Sequence, residues 1–169
     1  MQRFYHQEVP RAYTVEQTPG LPYVIFEGQM SLDPSGHPML ERQQLNNGQE
    51  QPWRSNRTNN LQLLDGYMNG QASSAVRSIV IVGRSWYGTG QNIALNVGSV
   101  PEFRQKAYLF VVDVPSWQIV KIIGPVIGRG AKVPSRGPGG DIIYLTELYG
   151  PQVSDSAVDA AIKKIGFIK

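Results

Sequence analysis

Apolar residues in this chain gather in short runs separated by turn formers, and only once in a helical stripe. The clearest run is 107–114. Tyr108, Leu109, Phe110, Val111 and Val112 leave no polar face, which predicts a central strand buried on both sides. Residues 75–82, rich in β-branched side chains and stopped by Gly83, predict a second strand. Shorter strands are expected at 3–7, stopped by Pro10, at 24–26, at 118–123, and at 126–127 beyond a Gly-Pro break. Residues 141–149 read as a further strand, with Glu147 set among apolar neighbours. Residues 91–96, entered after Gly88 and Gly90, read as a short helix. Val158, Ala161, Ile162 and Ile165 recur at i, i+3, i+4 and i+7, which predicts an amphipathic helix over 155–165. Ser154, Asp155 and Ser156 are its N-cap candidates, Lys163 and Lys164 suit its last turn, and Gly166 suits its stop.

Turn chemistry surrounds the second apolar patch, with Pro19-Gly20-Leu21-Pro22 before it and Asp33-Pro34-Ser35-Gly36 after it. Asn and Gln make up 12 of the 35 residues 41–75, so this stretch reads as a polar insertion or loop. Within it, 41–60 is expected to be irregular and exposed, and 60–68 a short helix. Residues 128–140 hold five Gly and two Pro and are expected to form a loop. With no βαβ alternation and no internal repeat, the expected class is α+β. It is built on mostly antiparallel strands in two packed sheets with few short helices.

Composition narrows the function. The 169 residues suit a single domain over 1–169, and 41% hydrophobic with 17% charged residues is globular composition. No apolar run approaches the ~18 residues of a membrane-spanning helix, so no membrane partner is expected. The chain has no Cys and two His, which leaves no thiolate chemistry, disulfide framework or metal site to expect. Net charge is +3, and its asymmetry matters more than its size. Residues 1–85 carry seven basic and seven acidic side chains, whereas 86–169 carry nine and six. Residues 114–140 contain Lys121, Arg129, Lys132 and Arg136 and no acid. Such a surface is either a solvated face or a seat for phosphates.

One ordered set of features carries candidate chemistry. It runs from Tyr5-His6 on the first strand, through Gly83-Arg84-Ser85-Trp86-Tyr87 and Asn92-Ile93-Ala94-Leu95, to the apolar strand at 108–114. It ends at Tyr144-Leu145-Thr146-Glu147-Leu148-Tyr149. This order resembles the mono-ADP-ribosyltransferases of bacteria and phages. The surroundings of Ser85 look like the arginine-serine-glutamate class, and Phe4-Tyr5-His6 with Tyr87 looks like the diphtheria-toxin class. Val24-Ile25-Phe26-Glu27-Gly28 resembles a turn that follows the first strand in the toxin branch. Leu145 stands where Arg-directed transferases carry Gln or Glu.

The resemblance implies an ADP-ribosyltransferase-like fold with NAD as substrate and no metal. It assigns Glu147 as the catalytic carboxylate, and His6, Arg11, Arg84, Ser85 and Tyr87 to NAD binding. It further implies a secreted or delivered toxin or effector domain, an unknown macromolecular acceptor and a cognate immunity protein. The chemistry fits these residue types, because cleaving the nicotinamide–ribose bond needs a carboxylate beside a developing cation, an aromatic and a cation for pyrophosphate. Two other readings stand beside it. One is a small basic ribonuclease using His6 with Arg129, Lys132 or Arg136. The other is a non-enzymatic binding or structural module, for which the Asn/Gln-rich stretch is suited.

Overall fold

The β-branched and aromatic runs become strands that join edge to edge. The structure is a computed structural model and describes residues 10–12, 16–41, 53–54, 76–96, 98–133 and 145–168. Its strands are β1 (Arg11–Ala12), β2 (Tyr23–Leu32), β3 (Pro38–Glu41), β4 (Trp53–Arg54), β5 (Ser78–Ala94), β6 (Ser99–Asp113), β7 (Gln118–Ile127) and β8 (Leu148–Tyr149). A helix, α1 (Asp155–Ile162), follows. The fold is therefore mostly strand with sparse helix, as its Gly, Pro and β-branched content suggests. The hydrogen-bonded path runs β1-β7-β6-β5-β2-β3, with β4 on β2 and β8 on β6. Antiparallel ladders carry most of the pairing, but β2–β5, β1–β7 and β6–β8 are parallel, so the sheet is mixed.

The apolar run at 107–114 is central, as expected. β6 lies between β5 and β7, and Leu109, Phe110, Val111 and Val112 are fully buried. Alternation sends Phe110 and Val112, with Ile79 and Ile81 of β5, to one face, where Met30, Leu40 and Trp117 cover them. It sends Leu109 and Val111, with Val80 and Val82, to the other, where α1 supplies Val158, Ala161 and Ile162. Ser154 caps α1, its hydroxyl accepting from the Ala157 amide at 3.3 Å. The helix stops at Ile162, three residues short of the expected 165. The amides of Lys164 and Ile165 bond to carbonyls only three residues back, which tightens the end into a turn that still buries Ile165.

Two expectations are corrected. Residues 91–94 are strand, not helix: β5 runs on to Ala94 and pairs with the start of β6, Asn92 opposite Pro101 and Ala94 opposite Ser99. Cross-strand pairing overrides the local helical look, and the glycine break survives only as a register shift between Gly88 and Asn92. Of the strand expected at 141–149, residues 141–144 lie outside the described residues, Leu145, Thr146 and Glu147 have no regular structure, and only Leu148–Tyr149 is strand. β7 pairs the β6 edge as far as Lys106 and the Gly128 amide takes the Gln105 carbonyl, which leaves β8 no room to run on past Tyr149, paired with Phe103. The strand expected at 3–7, the helix at 60–68, and most of 41–75 and of the loop at 128–140 lie outside the described residues.

Candidate functional site

Beyond Gly83 the strand β2 no longer pairs with β5, and β5 continues with β6 as an arm whose β6 edge carries the end of β7 and then β8. Alternation then decides which side chains can meet. Trp86, opposite Gln105, continues the α1 side of the sheet that Val82 and Leu109 begin. Ser85, opposite Lys106, and Tyr87, opposite Arg104, take the other side.

On the Tyr87 side, the Lys106 ammonium lies 5.1 Å from the ring centroid of Tyr87. Lys106 has no acidic partner among the described residues. Arg104 is engaged by Glu102, its Nε donating at 3.0 Å and its Nη2 at 3.2 Å, while Nη1 makes no hydrogen bond among the described residues. Glu102 is only 3% exposed, and its carboxylate also accepts from the Ala131 amide at 2.9 Å and the Thr89 hydroxyl at 3.1 Å. The hydrogen bonds from Arg104 and then from Ala131 hold this carboxyl below the usual glutamate range. Glu102, Arg104 and Lys106 escaped the sequence reading. Their signal was a charged residue at every second position of Glu102-Phe-Arg104-Gln-Lys106, a charged face of period two.

On the α1 side, Trp86 meets Tyr149 edge to face at 5.1 Å between centroids, and Phe103 stacks on Tyr149 at 5.0 Å. The Tyr149 hydroxyl donates to Glu147 at 2.7 Å, which raises its pKa above the usual tyrosine range. Glu147 is exposed and joined to this aromatic group. It is thus tied to the side of the arm away from Ser85 and Tyr87. Arg84 also faces α1 and is occupied by Glu27 of β2 and by Asp155 at 3.7 Å. Its position is explained by joining two strands to the helix start.

The remaining candidates do not join either group. Arg11 is exposed on β1, where it pairs with Gln118, which stands opposite Asp113 and hence level with Ser78. Ser85 is seven residues along β5 from that level, about 23 Å at ~3.3 Å per residue. His6 and Arg136 lie outside the described residues. Gly83 has a packing role: a Cβ there would stand 2.8 Å from the Met30 side chain. Among the described residues no group of three or more His, Asp or Glu could hold a metal. A cavity of about 440 Å³ beside the start of α1 is lined by Arg129, Gln152, Ser154 and Ser156 among others. No protein-family model matches this chain, and neither does any curated protein or solved structure. The chemistry of its surface is therefore the ground on which a function has to be argued.

Proposed function

We propose that this chain is a binding module whose working surface is the β5–β6 arm, and not an enzyme that cleaves NAD. One observation carries this reading: Ser85 and Tyr87 face one way from the arm, whereas Glu147 is bonded to Tyr149 on the other. A carboxylate that stabilises an oxocarbenium-like centre has to stand within a few ångströms of the carbon being attacked. Glu147 is exposed, outside any regular strand, and hydrogen-bonded to a tyrosine that is itself half exposed. Arg84, the cation adjacent to Ser85, is committed to Glu27 and Asp155.

Incubation with NAD, and separately with RNA, tests this reading. The expected result is no released nicotinamide and no cleaved RNA, with Glu147→Gln indistinguishable from the unmodified chain. Nicotinamide release that falls ~10²–10³-fold in Glu147→Gln, the loss typical of one preorganised electrostatic group, would overturn it. That outcome would restore an ADP-ribosyltransferase-like class of two packed sheets about an NAD cleft. The order of motifs from Tyr5-His6 to Glu147 supports that class, as does the presence of a hydroxyl, an aromatic and cations on the Tyr87 side. It would also restore an unknown acceptor and a delivered effector role. RNA cleavage would instead favour a ribonuclease.

A further inference from the structure

We propose that the Tyr87 side of the arm binds single-stranded nucleic acid, with a base stacked on Tyr87 and adjacent phosphates held by Lys106 and Arg104. The proposal rests on the binding-module reading and names its ligand. Three features of this surface point the same way. Lys106 is a cation without an acidic partner among the described residues, and it sits over an aromatic face. Arg104, two residues away on the same side of β6, keeps Nη1 free of hydrogen bonds among the described residues while Glu102 fixes the other edge of its guanidinium. That arrangement presents a preorganised donor. The two cations are therefore spaced by about 6.6 Å along the strand, a repeat that an extended sugar–phosphate chain can follow. The exposed Lys132 comes next in the chain after Ala131, whose amide is anchored on Glu102, so a third cation borders the same surface.

Charge complementarity selects a polyanion, and the half-buried Tyr87 ring selects one with flat aromatic groups. At 5.1 Å and only half-buried, this cation–π contact is weak, so the Lys106 stem can swing its ammonium from the ring to a phosphate as a base takes its place. A sheet surface with one aromatic and interleaved cations reads a backbone and a stack rather than base edges. The expected binding is salt-sensitive and tolerant of sequence.

The test is fluorescence anisotropy of the full chain with labelled 15-residue oligothymidylate and oligouridylate, titrated at several salt concentrations. Saturable binding that weakens steeply with salt is expected. Tyr87→Ala should weaken it about tenfold at fixed salt, within the range for one lost stack. Lys106→Ala should lower the salt slope by about one. Lys163→Ala, an equal charge change on the far end of α1, should leave both unchanged, and Lys106→Arg should retain binding. Thermal melts of each variant separate lost binding from lost folding. No saturable binding at the lowest salt would overturn the proposal while leaving the binding-module reading intact. So would equal weakening by Lys106→Ala and Lys163→Ala, or equal affinity for an acidic polypeptide that Tyr87→Ala does not change. Only turnover of NAD or RNA would overturn the reading beneath it.

Discussion

Gly83 has no side chain because Met30 occupies the space one would need. A Cβ at 83 would lie 2.8 Å from both Cβ and Cγ of Met30, atoms near its backbone that cannot swing clear. Gly83→Ala should destabilise the fold by about 1–3 kcal/mol, the usual cost of overpacking. It should lower the denaturant midpoint without changing the slope. The neighbouring Arg84 is also explained locally, by Glu27 and Asp155. Its side chain is 19% exposed and that of Glu27 22%, so removing either partner strands a partly desolvated charge. Arg84→Met should cost about 1–3 kcal/mol, and Glu27→Gln in the same chain should recover part of that loss. A double-mutant cycle by urea denaturation measures this coupling, and strictly additive losses would show that the pair is not coupled. At this scale Gly83-Arg84-Ser85 looked like one motif, and its first two members turn out to do separate things, Gly83 leaving room for Met30 and Arg84 bonding Glu27 and Asp155.

Elements were legible where one physical rule dominates. β6 carries apolar side chains on both faces at 107–112, and the only place for such a strand is the middle of a two-sided core. Phe110→Ala should therefore cost about 3–5 kcal/mol, readable in the same denaturation. The helix was legible from its period and its cap. Ser154→Ala should cost about 1 kcal/mol and raise hydrogen exchange at Ala157, whose amide the hydroxyl holds. The arm was not legible. Gly88, Gly90 and Ile93-Ala94-Leu95 resemble a strand end followed by a helix, and nothing local reveals that 99–101 lies opposite 92–94. Pairing register is a property of two segments, and the facing of every side chain on the arm follows from it. For that reason Ser85, Tyr87 and Glu147 could be recognised as chemistry-bearing types yet not sorted between the two sides. The end of β8 at Tyr149 is likewise set from a distance, since the β6 edge beyond is taken up by Gly128 and β7.

At the scale of the whole molecule, one buried carboxylate joins pieces distant in the chain. Glu102 bonds Thr89 of β5, Arg104 of β6 and the backbone of Ala131, and it stands opposite Leu148 of β8. The contact continues at Gly150, where a Cβ would come within 2.3 Å of the Arg129 carbonyl, so β8 and the 128–131 segment pack directly together. Because its partners all favour the ionised form, the Glu102 carboxyl titrates below the ordinary value of 4.5. A carboxyl whose pKa is lower folded than unfolded stabilises the fold fully above the unfolded value. It loses that contribution as pH falls from there through the native one. Acidification below about 4.5 should thus loosen the 128–131 segment from β6 before the core strands respond. Amide exchange at Ala131 followed from pH 6 to pH 3 reads this directly. Asp33, also held low by backbone hydrogen bonds from His37 and Ser35, should give its own acid step at the β2–β3 turn. Glu102→Gln should remove the step at Ala131 and leave the one at His37 in place. It should also leave Ala131 less protected at pH 7, because a neutral amide gives Arg104 no charged partner. Ala131 protection that stays constant to pH 3 in the unmodified chain would show that the Glu102 charge does not hold this part of the molecule together.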